Sequence, residues 1–540
     1  YYPVIDLLKY WARIREDDGE AAATDKLQYA IRRVSVDEAD EIVPFVAPLM
    51  GMKLSGKHAE RIKGIEGDSL ENLIFKYVRE LLILSTGIIP IVIVIEDLHW
   101  ADTSSLLLID ELNRLARTRK IVFIHVFRPG YWDDEEKTPA NLKDRVADLL
   151  PVEIVLQPLD FQHSEALINN MLNIKGLHHG VKTQIIERAG GNPFFIEEVV
   201  RTLIDEGAFV VKDTGFEITD RIQSVIIPQT INDVLMARID RLDEESRNVI
   251  KVASVIGRSF FYRILADIVR NVDDLNDRLE NLKQIQLIRE RVRMEEVEYF
   301  FKHALAQETA YESTLLLQRK QLHLKVAESI ERIFSERLHE FYGLLAYHYS
   351  QGDDLEKAGE WMTKAGEEAL RSSASVEALH YFQEALRLYL AKSGKSVETE
   401  KLADFEMKIA IAYFNRGQHD NALLYFDKVF QRWGKRSPKR MVSVMSDMVY
   451  ICAVIWFRQR FPGWWKKKMP DQRVNEFFDL SQKKARSLMY INPKRMFMES
   501  IGECRESLHY ELKKLDNAAG LHLSTGGVFC VIGFFRIGDL

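Results

Sequence analysis

The sequence predicts a multidomain chain: an α/β segment built on a parallel sheet, followed by helical segments that end in a solenoid of helix pairs. The first observation is a pair of β-branched apolar runs, Ile91-Val-Ile-Val-Ile95 and Ile121-Val-Phe-Ile-His-Val-Phe127, with a helical stretch between them. Runs without polar alternation belong to strands buried on both faces, as in a parallel sheet. The second is a small-and-aromatic pattern that recurs at helix-pair spacing after residue 319. The third is length against proline content. The 540 residues supply roughly three to four cores of ordinary domain size, and only 14 prolines interrupt them.

Residues 1–157 form the α/β segment. Between its two strands, Asp102-Thr-Ser-Ser105 offers helix caps, and Leu106, Leu107, Ile109, Leu112 and Leu115 follow at helical spacing. Residues 158–226 read as a helical lid, in which short helices run to Gly191-Asn-Pro193 and a last one is stopped by Gly207. Residues 227–318 predict four helices and then two strands, Gln286-Leu-Ile-Arg289 and Glu298-Tyr-Phe-Phe301, around a charged turn at 291–296. That order is the pattern of a winged helix.

Residues 319–540 predict helix pairs. Leu344-Leu-Ala-Tyr-His-Tyr349 leads through Gly352 into Ala358, Ala365 and Ala369, and the pattern returns as Ile411-Ala-Tyr-Phe414, Gly417 and Ala422. Small residues let paired helices approach, and the recurrence resembles degenerate tetratricopeptide repeats, which bury their faces only by stacking. An irregular helical bundle is the alternative.

Composition narrows the function. With 74 basic and 81 acidic residues the net charge is −7, so no global positive field exists to hold nucleic acid, and nucleic acid is not an expected partner. The basic and aromatic residues between Arg458 and Lys468 read as a charged loop between helices. Cys452, Cys504 and Cys530 are odd in number and far apart, which argues against a disulfide framework or thiolate metal site and for a cytoplasmic location. The longest apolar runs, 449–457 and 527–535, are about half of the ~20 residues a membrane span needs. The chain opens on Tyr1 without a signal peptide and ends on an apolar stretch, so a piece of a longer protein is expected. No His-Glu-x-x-His spacing and no serine or cysteine hydrolase motif is present.

The chemistry concentrates at the end of the first strand, where Glu96 and Asp97 stand side by side. Ligands in open α/β sheets bind at strand carboxyl ends. One acid there can hold Mg²⁺ through its water shell, and its neighbour can orient or deprotonate the water that attacks a nucleoside triphosphate. This is the pattern of a Walker B strand; solvated strand-end carboxylates are the other reading. Asp102, just before a helix, reads as an N-cap.

Glu96-Asp-Leu-His-Trp-Ala-Asp102 with Thr-Ser-Ser105 resembles the Walker B segment of signal-transduction ATPases with numerous domains, the STAND group, in the branch found behind bacterial adenylate and guanylate cyclase domains. Phe127-Arg-Pro129 is similar to that family's sensor segment, which implies that Arg128 reaches the terminal phosphate. Gly191-Asn-Pro-Phe-Phe-Ile-Glu-Glu198 is similar to its lid motif, which implies that Gly191 and Pro193 bind the nucleotide, with the proline on the adenine. Ile227-Pro-Gln-Thr-Ile231, Arg238-Ile-Asp-Arg-Leu242, Ala253-Ser-Val-Ile-Gly257 and Phe301-Lys-His-Ala-Leu305 continue the resemblance, which covers about residues 90–430. It implies that His303 touches the β-phosphate in an ADP-bound resting state, although Ala304 stands where an aspartate usually follows. Without the family, Arg128 reads as a surface cation, 191–198 as a helix-starting turn and His303 as a half-buried structural histidine.

The resemblance implies a P-loop ATPase core that binds ATP or ADP with Mg²⁺ on Glu96, with Asp97 activating water. It further implies repeats that engage a protein partner or the chain's own effector domain, a nucleotide-dependent oligomer, and an output domain outside these residues, most often a class III cyclase. A transcriptional regulator, a serine/threonine kinase and a non-enzymatic scaffold with a decayed nucleotide site are the rival readings. A Gly-x-x-x-x-Gly-Lys-Ser/Thr phosphate loop is absent. Its near-match, Gly51-Met-Lys-Leu-Ser-Gly-Lys-His58, ends on His58 instead of a hydroxyl residue and is followed by a charged stretch. The loop is expected upstream of Tyr1.

Overall fold

The computed structural model describes residues 1–15, 18–128, 152–172, 179–212, 215–219, 221, 229–270, 274–293, 296–393, 397–435, 441–461, 468–511 and 514. Pro129, Ile227, Pro228, Trp464, Trp465, Cys530 and the apolar C-terminal stretch lie outside them. The chain is mostly helical with small sheets. It divides into two units: Tyr1–Ile14, Asp18–Val146 and Leu355–Leu540 make the first, and Arg15–Asp17 with Ala147–Asp354 the second.

The first unit opens on five helices, α1 (Tyr2–Ala12), α2 (Glu20–Val34), α3 (Ala39–Leu49), α4 (Gly56–Ile62) and α5 (Asp68–Ile88). Apolar residues one turn apart make the core face of α5, where Leu70, Ile74, Val78 and Leu81 are buried. Strand β1 (Ile91–Ile95), helix α6 (Thr103–Asn113) and strand β2 (Ile121–His125) follow. The strands pair in parallel, from Ile91 against Ile121 to Ile95 against His125, with α6 as the crossover. Asp102 caps α6 as its position predicts, accepting from the Ser105 N–H at 2.7 Å.

One expectation is corrected here. The two strands are covered on one face only: Ile93 and Ile121 are buried, whereas Val92, Val94, Val122 and Ile124 are 62, 54, 54 and 45% exposed. Alternate residues of a strand point to opposite faces, and the described helices reach just one of them.

Helices α17 (Leu355–Arg371), α18 (Ser375–Ser393), α19 (Thr399–Asn415), α20 (His419–Arg432), α21 (Met441–Arg460), α22 (Gln472–Ile491) and α23 (Pro493–Ser507), numbered after the helices of the second unit, complete this unit in a repeat-like array. Small residues set the helix spacing, because a Cβ on Gly366 would stand 2.5 Å from the Phe382 ring. Helix α18 also holds the crossover: Glu377 accepts from the Ser104 N–H (3.0 Å) and hydroxyl (2.5 Å).

The second unit starts with α7 (Phe161–Leu172), α8 (His179–Ala189) and α9 (Pro193–Asp205), followed by an antiparallel hairpin of β3 (Phe209–Lys212) and β4 (Gly215–Ile218). The purely helical lid is therefore corrected by a hairpin, which the alternation in Phe216-Glu-Ile218 favours. Four helices come next, as expected: α10 (Ile231–Asp240), α11 (Glu244–Ile256), α12 (Tyr262–Ile268) and α13 (Leu275–Gln284).

Strands β5 (Ser259–Phe261), β6 (Ile288–Arg293) and β7 (Glu296–Phe301) form a sheet of order β5-β7-β6, antiparallel throughout. The predicted charged turn is mostly strand, because charged side chains pair across the ladder; Arg291 Nε donates to Glu298 at 2.5 Å. Helices α14 (Ala304–Glu312), α15 (Leu316–Ile333) and α16 (Tyr342–Gln351) close the unit.

Candidate functional site

In the first unit the site begins where β1 ends. Asp97 adopts a left-handed conformation, φ 54° and ψ 36°, and starts a 3₁₀ turn over Leu98–Trp100. A non-glycine residue there is uncommon, and aspartate is among those that tolerate it. Hydrogen bonds hold the turn to the neighbouring strand, Val126 N–H to the Ile95 carbonyl (2.9 Å) and Leu98 N–H to the Val126 carbonyl (3.0 Å). The same bonds bring the exposed Arg128 guanidinium to 5.9 Å from the centroid of Trp100. Glu96, Asp97 and Arg128 thus share one strand-end ledge, with Glu96 turned to solvent.

Spacing alone gave no role to His99, in the same turn. Both of its ring nitrogens are buried without a partner among the described residues, and its ring lies 5.0 Å from Trp100. Its place inside Glu-Asp-Leu-His-Trp was the available signal. The near-match loop at 51–58 follows helix α3 and opens the seven-residue α4, so no strand leads into it.

In the second unit, Gly191 has φ +76°, and a Cβ on it would come within 2.3 Å of the Leu159 carbonyl oxygen. Only glycine allows that approach. Its own carbonyl accepts from Leu159 N–H at 2.8 Å, which fixes the turn in place. Asn192 caps α9 by accepting from Phe194 and Phe195 N–H (3.0 and 3.4 Å), and Pro193 occupies the first helical position, exposed.

Phe194 lies on His303, with 3.6 Å between ring centroids. The lid turn and the residue before α14 therefore meet, although in the sequence they read as two separate motifs. His303 Nε2 is buried without a partner among the described residues. Burial, then the charges of Lys302, Arg289, Arg238 and Arg201, push its pKa down to about 4, so the ring is neutral at neutral pH. Lys302 donates to Gln286 Oε1 at 2.9 Å and lies 3.8 Å from Glu197. Behind this cluster, Glu198 and Arg238 form a buried ion pair, and Arg238 also donates to the Ile285 carbonyl. A neutral imidazole ringed by cations suits an anion, which would supply the missing charge.

Among the described residues no group of three or more His, Cys, Asp or Glu could hold a metal ion. A cation at the strand end would rest on one carboxylate together with water and phosphate oxygens, the usual manner of Mg²⁺. No helix among these residues is long and apolar enough to cross a membrane.

Residues 161–214 match the family described as "Domain of unknown function (DUF8739)". An uncharacterized protein, R02095, of Rhizobium meliloti (strain 1021) is 25% identical over 307 residues, covering 55% of this chain and 28% of its own length. The chain thus spans about a quarter of that curated relative. A crystal structure of a Signal Transduction ATPase with Numerous Domains (STAND) protein with a tetratricopeptide repeat sensor, PH0952, from Pyrococcus horikoshii superposes with a TM-score of 0.31 at 13% identity. That alignment covers 97% of this chain and 86% of that one. Superposition at that level is too weak to carry a function across.

Proposed function

We propose that the chain is the regulatory part of a signal-transduction ATPase, a nucleotide-dependent switch followed by helical repeats that engage a protein partner or the chain's own effector domain. The observation that carries the reading is the ledge at the carboxyl ends of two parallel strands, where exposed Glu96, half-buried Asp97 and exposed Arg128 come together. In the first unit, Glu96 holds Mg²⁺ through its water shell, Asp97 orients or deprotonates the attacking water, and Arg128 steadies the terminal phosphate. When bound, Mg²⁺ supplies charge neutralisation on the phosphates. In the second unit, Gly191 shapes the turn, Pro193 offers its exposed ring to the adenine, and His303 donates to a phosphate within the field of Lys302, Arg289 and Arg201.

The bare apolar face of β1 and β2 supports further sheet-covering structure in the working protein, and the phosphate loop belongs there on this reading. That the output is a class III cyclase rests on the motif resemblance alone. The decisive experiment compares Asp97→Asn with wild type in the complete encoded protein. ATP binding should persist while hydrolysis slows by ~10²- to 10⁴-fold, the usual worth of a positioned base. Hydrolysis at the wild-type rate removes Asp97 from that role.

A further inference from the structure

Helices α14, α15 and α16 of the second unit share a buried polar chain that the nucleotide reading does not use. His323 on α15 and His348 on α16 are 1% and 0% exposed, and their Nδ1 atoms lie 2.8 Å apart. The Tyr311 hydroxyl on α14 is 3.0 Å from His323 Nε2. His348 Nε2 has no partner among the described residues. An Nδ1-to-Nδ1 hydrogen bond requires one nitrogen with a proton and one without. Two imidazolium rings cannot make it, and they would face each other at hydrogen-bond distance with like charge.

We propose that the His323–His348 pair is an acid-sensitive latch, which holds α15 against α16 while its rings are neutral and releases them when the rings take up protons.

Among the described residues no carboxylate lies against either ring. From α15 the Arg319 guanidinium lies 4.2 Å from the centroid of the Tyr311 ring and adds positive charge beside His323. From α16 Tyr347 packs edge-on to His323, 5.7 Å between centroids. Three nearby acids are already engaged. Asp353 is paired with Lys320 on α15 (2.9 Å), Glu331 accepts from Tyr349 on α16 (2.8 Å), and Asp267 on α12 accepts from Ser329 (2.7 Å) and pairs with Arg332. Glu308 and Glu312 on α14 are exposed. Helix α11 meets α14 through Gln307 Nε2, which donates to the Ser254 carbonyl at 2.7 Å.

Burial, then Arg319, pushes the His323 pKa down to about 4, and burial, then His323, pushes that of His348 down to about 3. A released histidine titrates near its ordinary ~6.5. The closed form is therefore fully favoured above that value and loses ground as pH falls from ~6.5 toward ~4. At about pH 5 each ring weakens closure by about 30-fold, and the pair by up to about 10³-fold.

The test is hydrogen exchange on this chain at about pH 7 and about pH 5, corrected for intrinsic rates, in peptides from α15 and α16. Wild type should lose protection by about 10²- to 10³-fold in acid. His348→Asn keeps an amide where Nδ1 stood and removes one proton site, so its acid loss should shrink by about 10- to 30-fold. His303→Asn, which removes another buried histidine of the same unit, should leave the loss in α15 and α16 intact. A wild-type loss in His348→Asn, or abolition of the loss in His303→Asn, overturns the proposal. Should His348→Asn fail to fold, carbon-13 titration of the wild-type rings decides. Midpoints of both below about pH 5 sustain the latch, and a midpoint near the ordinary ~6.5 for either removes it.

Discussion

The Phe194 ring covers the His303 imidazole, with 3.6 Å between their centroids and 31° between their planes. The contact ties the start of α9 to the residue that precedes α14, and it leaves Nε2 as the ring's unpartnered polar atom. Truncating either ring tests both its packing and its ligand role. His303→Ala should cost about 0.5 to 1.5 kcal/mol of nucleotide-free stability through the lost ring pair. It should also shrink the melting shift given by saturating ADP, because a hydrogen bond to a charged phosphate is worth about 1.5 to 3 kcal/mol. An undiminished ADP shift removes His303 from the nucleotide site.

His303 should also make ADP binding linked to pH. Its pKa is held down to about 4, chiefly by burial and then by neighbouring cations, and a phosphate beside Nε2 opposes both effects. Binding should therefore take up a proton over a window between ~4 and ~6.5, and calorimetry in buffers of different ionisation enthalpy will read it. Equal heats in all buffers across that window would rule out the contact.

Asp97 combines a backbone role with a chemical one. Its left-handed conformation makes Asp97→Val cost about 1 to 2 kcal/mol, whereas Asp97→Gly should be tolerated by the backbone. Denaturant melts report the first effect and ATP turnover of the complete protein the second. Asp97→Gly should fold at least as well as wild type and still hydrolyse slowly; full activity in that variant would separate Asp97 from the chemistry.

Glu198 and Arg238 lose value if parted. Removing one partner, as in Glu198→Ala, leaves the other charge buried and should cost about 3 to 5 kcal/mol. Replacing both with apolar residues, Glu198→Leu with Arg238→Met, should recover most of it. A double variant as unstable as the single one would assign the cost to packing.

Two glycines in one repeat helix should respond oppositely to alanine. Gly366→Ala drives a Cβ into the Phe382 ring and should cost about 1 to 3 kcal/mol of overpacking. Gly359 has nothing within 4 Å, so Gly359→Ala should stabilise α17 by about 0.5 to 1 kcal/mol. Thermal melts of the two variants give the comparison directly.

Local chemistry explains which of these features could be read in advance. The bounds of β1, the Asp102 cap and the four helices between β4 and β6 follow from residue order, because neighbouring side chains determine them. Strand β5 is three residues long, too short for any period to show. The bare face of Val92, Val94, Val122 and Ile124 could not be inferred, since an apolar run says what a strand prefers and not what covers it. For the candidate site, motifs located Glu96, Asp97, Arg128, Gly191, Pro193 and His303 one by one. The stacking of Phe194 on His303 and the cations around it depend on residues about a hundred positions apart, beyond the reach of spacing.

Arg238 grips α9 through Glu198 and the end of α13 through the Ile285 carbonyl, the first attachment buried and the second partly so. Mechanically this makes α9, α10 and the α13–β6 corner a single lever. Bending among them would first have to strip a guanidinium of partners that include a buried carboxylate. Any conformational stroke that displaces Phe194 must then carry that corner along without changing the angle between α9 and α10. The pivot has to be sought in the connections leading into and out of this block.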